Sequence, residues 1–352
     1  MSEEPIEWLL TCDEPWTRYR TMVTLLHKEE EEVEVQRARA EMLRHPKVVG
    51  LVQAASQWPG EALRRHNDAS HPLYALSTLA DFGVSARDRG MAGTVKRILT
   101  RQSPEGAIQS LLNISKAFGG TGADQRAWVA CDAPTLLYVL LAMGDKDDSR
   151  VGKAVNHLLG LVEENGWRCH CAPELGRFRG PGRKGDPCPI ANVYALKALS
   201  LVPGQQRSPA ARHGADALLS HWERRRETRP YLFGIGTDFR KLKYPFIWYD
   251  ILHVTEVLSR FTWVHKDRRF REMVDAIEAQ ADDDGRFVPG SKYLAWKDWS
   301  FADKKRPSPW LTFLVLRIRE RLRATNGKRS PAHRIRAGRK STNGHVGRRT
   351  GH

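Results

Sequence analysis

A repeated two-helix plan constrains the fold of this chain more than any other feature of its sequence. Each copy consists of an apolar helix, a polar loop, an amphipathic helix with basic residues and a turn that contains glycine. The apolar helices are predicted to begin near residues 16, 72, 133, 189, 248 and 309, and an amphipathic helix follows each of the first five, the first over residues 33–57. One copy cannot bury its own apolar face, so successive copies must pack around a shared core.

The contrast between the two helices of a copy indicates which of them lies inside. Residues 136–143 carry no charge, whereas residues 213–226 mix leucine with arginine and glutamate. Few segments alternate with period two, so a sheet is not expected. The last apolar helix, residues 309–323, lacks a following partner, but a short helix near residues 6–10 could supply one from the other end. We therefore predict an all-α fold: an α/α toroid of about five to six helical hairpins around a central cavity, with an open helical solenoid as the alternative.

The positive charge of the chain is concentrated at its carboxyl end. The net charge is +16, and residues 326–352 contain eight lysines and arginines and no acidic residue. Such a segment has too little apolar surface to offset the entropy of ordering, so we predict a toroid domain over residues 1–323 and a disordered basic tail over residues 324–352. The tail suits contact with nucleic acid or an anionic membrane surface, or is only a solubilising extension.

Cysteine usage and hydropathy predict the compartment. The five cysteines stand in a chain without a recognisable export signal, which favours free, catalytic or metal-bound thiols over disulfides. No segment approaches the roughly 18 consecutive apolar residues that span a bilayer. We expect a cytoplasmic protein that is not transmembrane.

The stretch from residue 176 to residue 188 combines glycine, positive charge and two metal-ligand types directly before an apolar helix. Asp186 and Cys188 offer a carboxylate and a thiolate, and His253 lies at a matching place in the next copy. In a toroid the first residues of all inner helices gather at one end of the cavity, so these three could bind zinc with one position open. Cys169 and Cys171 could instead close the site as additional ligands. The alternative is a helix cap, a buried thiol and a hydrogen-bonded core histidine.

Basic residues cluster on the loops that lead to the same two helices. They suit a diphosphate or another polyanion, since guanidinium and ammonium groups beside a helix amino terminus bind such groups; an exposed basic loop is the alternative. The predicted contacts are Arg179, Arg183, Lys184, Lys241 and Lys243.

Over most of residues 15–320 the chain resembles the superfamily of terpenoid cyclases and protein prenyltransferase β subunits. The motif runs from Gly176-Arg177-Phe178 through Arg183-Lys184 to Asp186-Pro187-Cys188, with His253 downstream. The resemblance implies zinc at Asp186, Cys188 and His253, an isoprenoid diphosphate held by Arg183 and Lys184, and a zinc-dependent transferase of prenyl-type groups. The expected ligand is an isoprenoid diphosphate or another anionic or apolar small molecule. The chain departs from the pattern at Pro189, where the prenyltransferases have a tyrosine, and those enzymes also require a partner subunit.

Three other interpretations stay open. Asp145-Lys146-Asp147-Asp148 matches the acid motif of protonation-initiated cyclases, but it falls in a loop before an outer helix, where carboxylates act as caps. Asp132, Asp250 and the abundant tryptophans and tyrosines would serve a carbohydrate-active toroid. A helical-repeat protein that binds a partner without chemistry is the third.

Overall fold

The computed structural model describes residues 4–178, 185–227 and 236–327. Within these residues the chain forms thirteen α-helices and two short antiparallel strand pairs. The helices are α1 (Glu4–Thr11), α2 (Pro15–Leu25), α3 (Val33–Arg44), α4 (Pro46–Ser56), α5 (Pro72–Phe82), α6 (Ala92–Leu99), α7 (Ala133–Met143), α8 (Ser149–Gly160), α9 (Pro189–Leu199), α10 (Pro209–Glu223), α11 (Ile251–Leu258), α12 (Arg268–Glu278) and α13 (Pro309–Gly327). Strand β1 (Ser110–Leu112) pairs with β2 (Gln125–Ala127), and β3 (Val162–Glu163) pairs with β4 (Gly166–Trp167).

Local signals in the sequence set the helix ends. Proline stands at the start of α2, α4, α5, α9 and α10, where its missing N–H and fixed φ cost nothing. The carboxylate of Asp148 accepts a 2.8 Å hydrogen bond from the backbone N–H of Arg150 and so caps α8. The acidic run at residues 145–148 thus starts an outer helix, as the capping interpretation predicts.

One helix predicted from the sequence is divided into two in the structure. Residues 33–57 form two helices, α3 and α4, and not one. His45 has extended backbone angles, φ −64° and ψ 131°, and its side chain accepts a hydrogen bond from the N–H of Lys47. Pro46 explains the break, because proline disfavours helical geometry in the residue before it and cannot donate a backbone hydrogen bond.

Six inner helices form a closed ring. In ring order α2, α5, α7, α9, α11 and α13 each pack against the next, and α13 returns to α2. All eleven residues of α9 are buried, whereas α12 buries one face through Phe270, Met273, Val274 and Ile277. The other helices lie outside, and α1 packs on both α2 and α13 where the ring closes. The fold is therefore the predicted all-α toroid, and α1 supplies the missing partner of the last helix.

Aromatic side chains from the loop before α11 lie inside the ring. The Tyr244 hydroxyl is 3.1 Å from an Asp81 carboxylate oxygen on α5, and its ring is 5.6 Å from that of Trp310 on α13. The Tyr194 hydroxyl on α9 donates to the backbone carbonyl of Phe246 at 2.8 Å. Because this loop contacts alternate members of the ring, it lies within the ring and contributes aromatic side chains to its interior.

Two sequence predictions concern parts of the chain that the structure covers only in part. The boundary between a toroid over residues 1–323 and a basic tail over residues 324–352 stays a prediction, since α13 runs to Gly327 and residues 328–352 lie outside the described residues. In the described part of the chain, no helix has the length and apolar character needed to cross a membrane.

Candidate metal centre at the mouth of the ring

The inner helices begin at the same end of the ring, which we call the ring mouth. Cys131 and Asp132 directly precede α7, Cys188 is the residue before α9 and Asp250 is the residue before α11. His66 lies six residues ahead of α5, on a loop that folds over this end. The ring mouth therefore gathers thiol, carboxylate and imidazole groups from distant parts of the sequence.

His66, Cys131 and Asp132 form the one group of three or more possible metal ligands found among the described residues. Their ligand atoms all lie within 4.8 Å of one another. His66 Nδ1 is 3.1 Å from Asp132 Oδ1, and His66 Nε2 is 3.4 Å from Cys131 Sγ. The side chain of His66 is 23% exposed while that of Asp132 is 5% exposed, so the group is buried on one side and reaches the surface on the other.

Backbone contacts hold this group in place. The hydroxyl of Tyr74 on α5 donates a hydrogen bond to the backbone carbonyl of His66 and ties the loop to the ring. The N–H of Ala130 donates to the carbonyl of His170 at 2.8 Å, and Ala172 donates to Trp128 at 2.9 Å. These bonds pair the segment before Cys131 with the segment that carries two further cysteines.

The electrostatics of the group favour the protonated forms of His66 and Cys131. Burial opposes the charged form of His66, but the adjacent Asp132 carboxylate outweighs it and raises the pKa of His66 to about 9. Hydrogen bonding to Cys169, followed by burial, raises the pKa of the Cys131 thiol well above its ordinary value. A metal ion would replace both protons, because metal ligation requires neutral imidazole and thiolate.

Cys169 adjoins the group, and Cys171 lies two residues further along the chain. Cys169 hydrogen-bonds to Cys131 and also to Cys188, and this contact together with burial raises the pKa of both partner thiols. Burial raises the pKa of Cys171 to about 11, and its thiol donates to the carbonyl of Phe178 at 3.2 Å. Cys169 is thus in contact with the metal-ligand group, whereas the thiol of Cys171 is hydrogen-bonded to Phe178 instead.

The buried side chain of Asn192 on α9 fixes the position of Cys188. Its amide accepts from the Trp167 N–H at 3.0 Å and donates to the carbonyls of Trp167 and Cys188, both at 2.8 Å. Strand β4 and the start of α9 are therefore locked together, and with them the segment that carries Cys169.

Two of the three zinc ligands predicted from the sequence, Cys188 and His253, lie at the start of inner helices. Cys188 is 3% exposed, and its sulfur accepts from the Ala191 N–H at 3.5 Å. Burial, and then Lys197, lower the pKa of His253 to about 3, so this ring is neutral. Its Nδ1 donates to the Trp248 carbonyl at 3.0 Å, and its Nε2 is buried without a hydrogen-bond partner in the described residues.

In the described part of the chain Asp186, Cys188 and His253 do not form a group with ligand atoms within 4.8 Å. A metal held by these three would require their side chains to move. Their role as ligands, and that of Cys169 and Cys171 as additional ligands, stays a prediction.

The predicted anion contacts divide into two sets. Arg179, Arg183 and Lys184 lie outside the described residues. Lys241 Nζ is 3.2 Å from Asp238 Oδ1, and the buried Lys243 is ion-paired with the other oxygen of the same carboxylate. Two ammonium groups therefore share one carboxylate beside the start of α11, which leaves this loop net positive.

Sequence reasoning assigned none of the three members of this group to a metal. Cys131 and Asp132 stand directly before an inner helix, which places them at the ring mouth on topology alone. His66 is 65 residues away from Cys131 and has no helical or motif spacing to it. No local signal could have found it.

Comparison with known proteins gives low similarities. No family model matches the sequence, and no curated protein matches it. Among solved structures, a protein from Actinoplanes aligns with 12% identity and a TM-score of 0.30 over 79% of this chain and 99% of its own. The type II terpene cyclase MstE from Scytonema, without ligand, aligns with 10% identity and a TM-score of 0.39 over 84% of both chains. A variant of that cyclase in complex with geranylgeranyl dihydroxybenzoate gives 11% identity and 0.39 over 84% of this chain and 83% of its own. The assignment of the fold rests on the packing of this chain's own helices.

Proposed function

We propose that this protein is a zinc-binding α/α toroid of the terpenoid-cyclase and prenyltransferase type, which acts on or binds an isoprenoid-type ligand at the ring mouth. The observation that carries the proposal is the group formed by His66, Cys131 and Asp132. Imidazole, thiolate and carboxylate are the three ligand types that zinc accepts together. The same three types were expected at Asp186, Cys188 and His253, so the proposal keeps the predicted chemistry and assigns it to other residues.

The spacing of the group supports a single ion. Ligand atoms about 2.0–2.3 Å from a tetrahedral zinc lie roughly 3.3–3.8 Å from one another. The separation of 3.6 Å between His66 Nδ1 and Cys131 Sγ falls in this range, and Asp132 Oδ1 is 3.1 Å from the same nitrogen. Asp132 Oδ2 is buried and has no hydrogen-bond partner in the described residues. An unsatisfied buried carboxylate oxygen at this place fits a metal ligand.

The chemistry of the site depends on its fourth position. A zinc ion with three protein ligands keeps one position for a substrate thiol or water, which it activates as a Lewis acid. The partial exposure of His66 supports access to that position from the surface. Cys169, which is in contact with Cys131, is the residue of this chain that would close it.

The isoprenoid part of the proposal rests on the motif at residues 176–188 and on the aromatic interior of the ring. An apolar chain of that kind would lie against aromatic side chains, while its anionic end would face the predicted contacts. These are Arg179, Arg183, Lys184, Lys241 and Lys243. In the proposed division of the chain, with a toroid over residues 1–323 and a basic tail over residues 324–352, all of these residues belong to the toroid.

Metal analysis of the purified protein tests the zinc site. We expect one zinc per chain by mass spectrometry, and at least a tenfold loss of zinc affinity in His66→Ala and Cys131→Ser, as is typical when a metal ligand or its support is removed. Cys12→Ser is the matched control, because Cys12 belongs to the short segment after α1 and its thiol donates to the Leu9 carbonyl. A protein without zinc, or equal zinc in all variants, would refute the site.

A thermal-shift titration tests the ligand separately. Isoprenoid diphosphates should raise the Tm with concentration, since a ligand that binds only the folded state stabilises it by mass action. The same titration with inorganic diphosphate shows how much of the effect the isoprenoid chain supplies. An unchanged Tm in zinc-loaded protein would refute the isoprenoid assignment and leave the metal site standing.

A further inference from the structure

A cluster of charged side chains fills the interior of the ring beyond its mouth. Five of the six inner helices carry a charged residue of this cluster, and the sixth, α7, contributes a tyrosine. We call this the interior charge cluster, and its charged members are Arg20 on α2, Asp81 on α5, Lys197 on α9, Glu256 on α11, Arg260 after α11, and Arg317 and Arg321 on α13. Five of these groups are basic and two are acidic, so the cluster carries a surplus of three positive charges (5 − 2).

Both oxygens of the first carboxylate in the cluster have hydrogen-bond or ion-pair partners. Asp81 Oδ1 is 2.9 Å from Lys197 Nζ and accepts from the Tyr138 hydroxyl at 2.6 Å. Asp81 Oδ2 is 3.1 Å from the Tyr244 hydroxyl. Lys197 and Asp81 are both buried, with side chains 2% exposed, so this pair neutralises itself and offers nothing to the other cations.

The second carboxylate serves three guanidinium groups at once. Glu256 is fully buried and lies 3.1 Å from Arg260 Nη2, 2.7 Å from Arg317 Nη2 and 2.9 Å from Arg321 Nη1. One negative charge cannot neutralise three positive ones. The surplus therefore remains at this carboxylate and beside it.

Arg20 faces this surplus without a carboxylate of its own. It makes no hydrogen bond or ion pair to the residues that the structure describes, and its buried Nε has no partner there. Arg317, with a side chain 4% exposed, also has a buried Nε without a partner in the same part of the chain. Arg20 on α2 and Arg317 on α13 belong to helices that pack against each other, and burial and then the charge of Arg317 lower the pKa of the Arg20 guanidinium.

We propose that a small oxyanion of the phosphate class binds between Arg20 and Arg317, inside the ring and away from its mouth. Two guanidinium groups with unpaired donors match the tetrahedral oxygens of a phosphate, which accepts several charge-assisted hydrogen bonds. A bound phosphate carries about two negative charges near pH 7 and so offsets most of the cluster's surplus of three. Arg20 and Arg321 are each partly exposed, so the anion reaches the site from the end of the ring opposite the metal centre. This site is independent of the proposed function.

Isothermal titration with inorganic phosphate at constant ionic strength tests the site, with chloride as the non-binding salt. Wild type should bind one phosphate per chain, and Arg20→Gln and Arg317→Gln should each raise the Kd by about tenfold or more, as expected for a charged hydrogen bond. The matched control is Arg319→Gln, on the same helix, because Arg319 pairs with Glu278 at 2.7 Å on the outer side. Its Kd should equal that of wild type.

Thermal unfolding keeps the proposal testable if a variant folds poorly. Without phosphate, Arg20→Gln should have a Tm equal to or above that of wild type, because it removes repulsion from an unpaired buried charge. In saturating phosphate the order should reverse, because only wild type gains the full stabilisation. Absence of phosphate binding by wild type, or equal Kd values for Arg20→Gln and Arg319→Gln, would overturn the proposal.

Discussion

Replacing Glu256 by glutamine should destabilise this protein more than the loss of an ordinary ion pair. The carboxylate is fully buried and contacts Arg260, Arg317 and Arg321 at 3.1, 2.7 and 2.9 Å. Glutamine keeps the shape but removes the charge, so the interior surplus rises from three to four and three guanidinium groups lose their shared partner. Breaking a buried ion pair by removing one partner costs about 3–5 kcal/mol in the free energy of unfolding.

The pH dependence of this effect has a defined sign. Burial alone would raise the pKa of Glu256, but the charges of Arg260, Arg317 and Arg321 hold it well below its ordinary value of 4.5. Near that pH the unfolded chain takes up a proton that the folded chain does not bind. The stability contributed by Glu256 is therefore present above about pH 4.5 and is lost as the pH falls further. The difference in the free energy of unfolding between wild type and Glu256→Gln should therefore become smaller below about pH 4.5.

Urea unfolding followed by circular dichroism at pH 7 and at several values down to pH 3.5 measures both effects. The control is Glu272→Gln, because Glu272 also meets two arginines, Arg225 and Arg268, but is 31% exposed. Glu272→Gln should lower the free energy of unfolding by less than about 1 kcal/mol. The reasoning would be refuted if Glu256→Gln lowered the free energy of unfolding as little as Glu272→Gln does. It would also be refuted if the stability difference between wild type and Glu256→Gln did not change with pH.

Two further substitutions probe the ring mouth. Asn192→Ala leaves the N–H and C=O of Trp167 and the C=O of Cys188 without their side-chain partner. In a urea titration it should lower the free energy of unfolding by about 2–4 kcal/mol. An unchanged unfolding midpoint would contradict the role given to Asn192. Asp250→Asn keeps the cap on the N–H of His253 but removes a buried acid whose pKa burial raises from 3.8 to about 7. Because the folded state holds the proton more tightly, wild type loses stability as the pH rises from about 4 to 7, by at most about 4 kcal/mol at 1.36 kcal/mol per unit. The variant should therefore have the higher Tm at pH 8, and a lower Tm there would contradict this.

The ring itself could be predicted from the sequence because its cause is local. Runs such as residues 133–143 are too apolar to face water, whereas residues such as Arg268 and Glu272 place charge on one face of an outer helix. The order of these segments along the chain then determines which helices meet. The helix break at Pro46, which the prediction missed, also has a local cause, and the residue before a proline is a signal that could have been used.

The composition of the site could be predicted only in part. The ligand types and their place at the starts of inner helices follow from topology, and so does the position of Cys131 and Asp132. The identity of the histidine depends on how the loop before α5 folds over the ring mouth, which is a tertiary contact between residues 65 positions apart. The same holds for the interior charge cluster. Lys197 and Glu256 visibly interrupt apolar helices, but Asp81 and Arg317, with which they pair, come from other helices.

Cobalt substitution tests the central claim most directly, because a thiolate bound to cobalt(II) gives a charge-transfer absorption in the near ultraviolet that a protonated thiol does not. We predict that cobalt(II)-loaded wild type shows this band, that Cys131→Ser loses it, and that His66→Ala weakens metal binding at least tenfold. We also predict that His253→Ala retains the band, since His253 lies outside the assembled group. A band that survives in Cys131→Ser and disappears in His253→Ala would contradict the assignment of the metal to His66, Cys131 and Asp132.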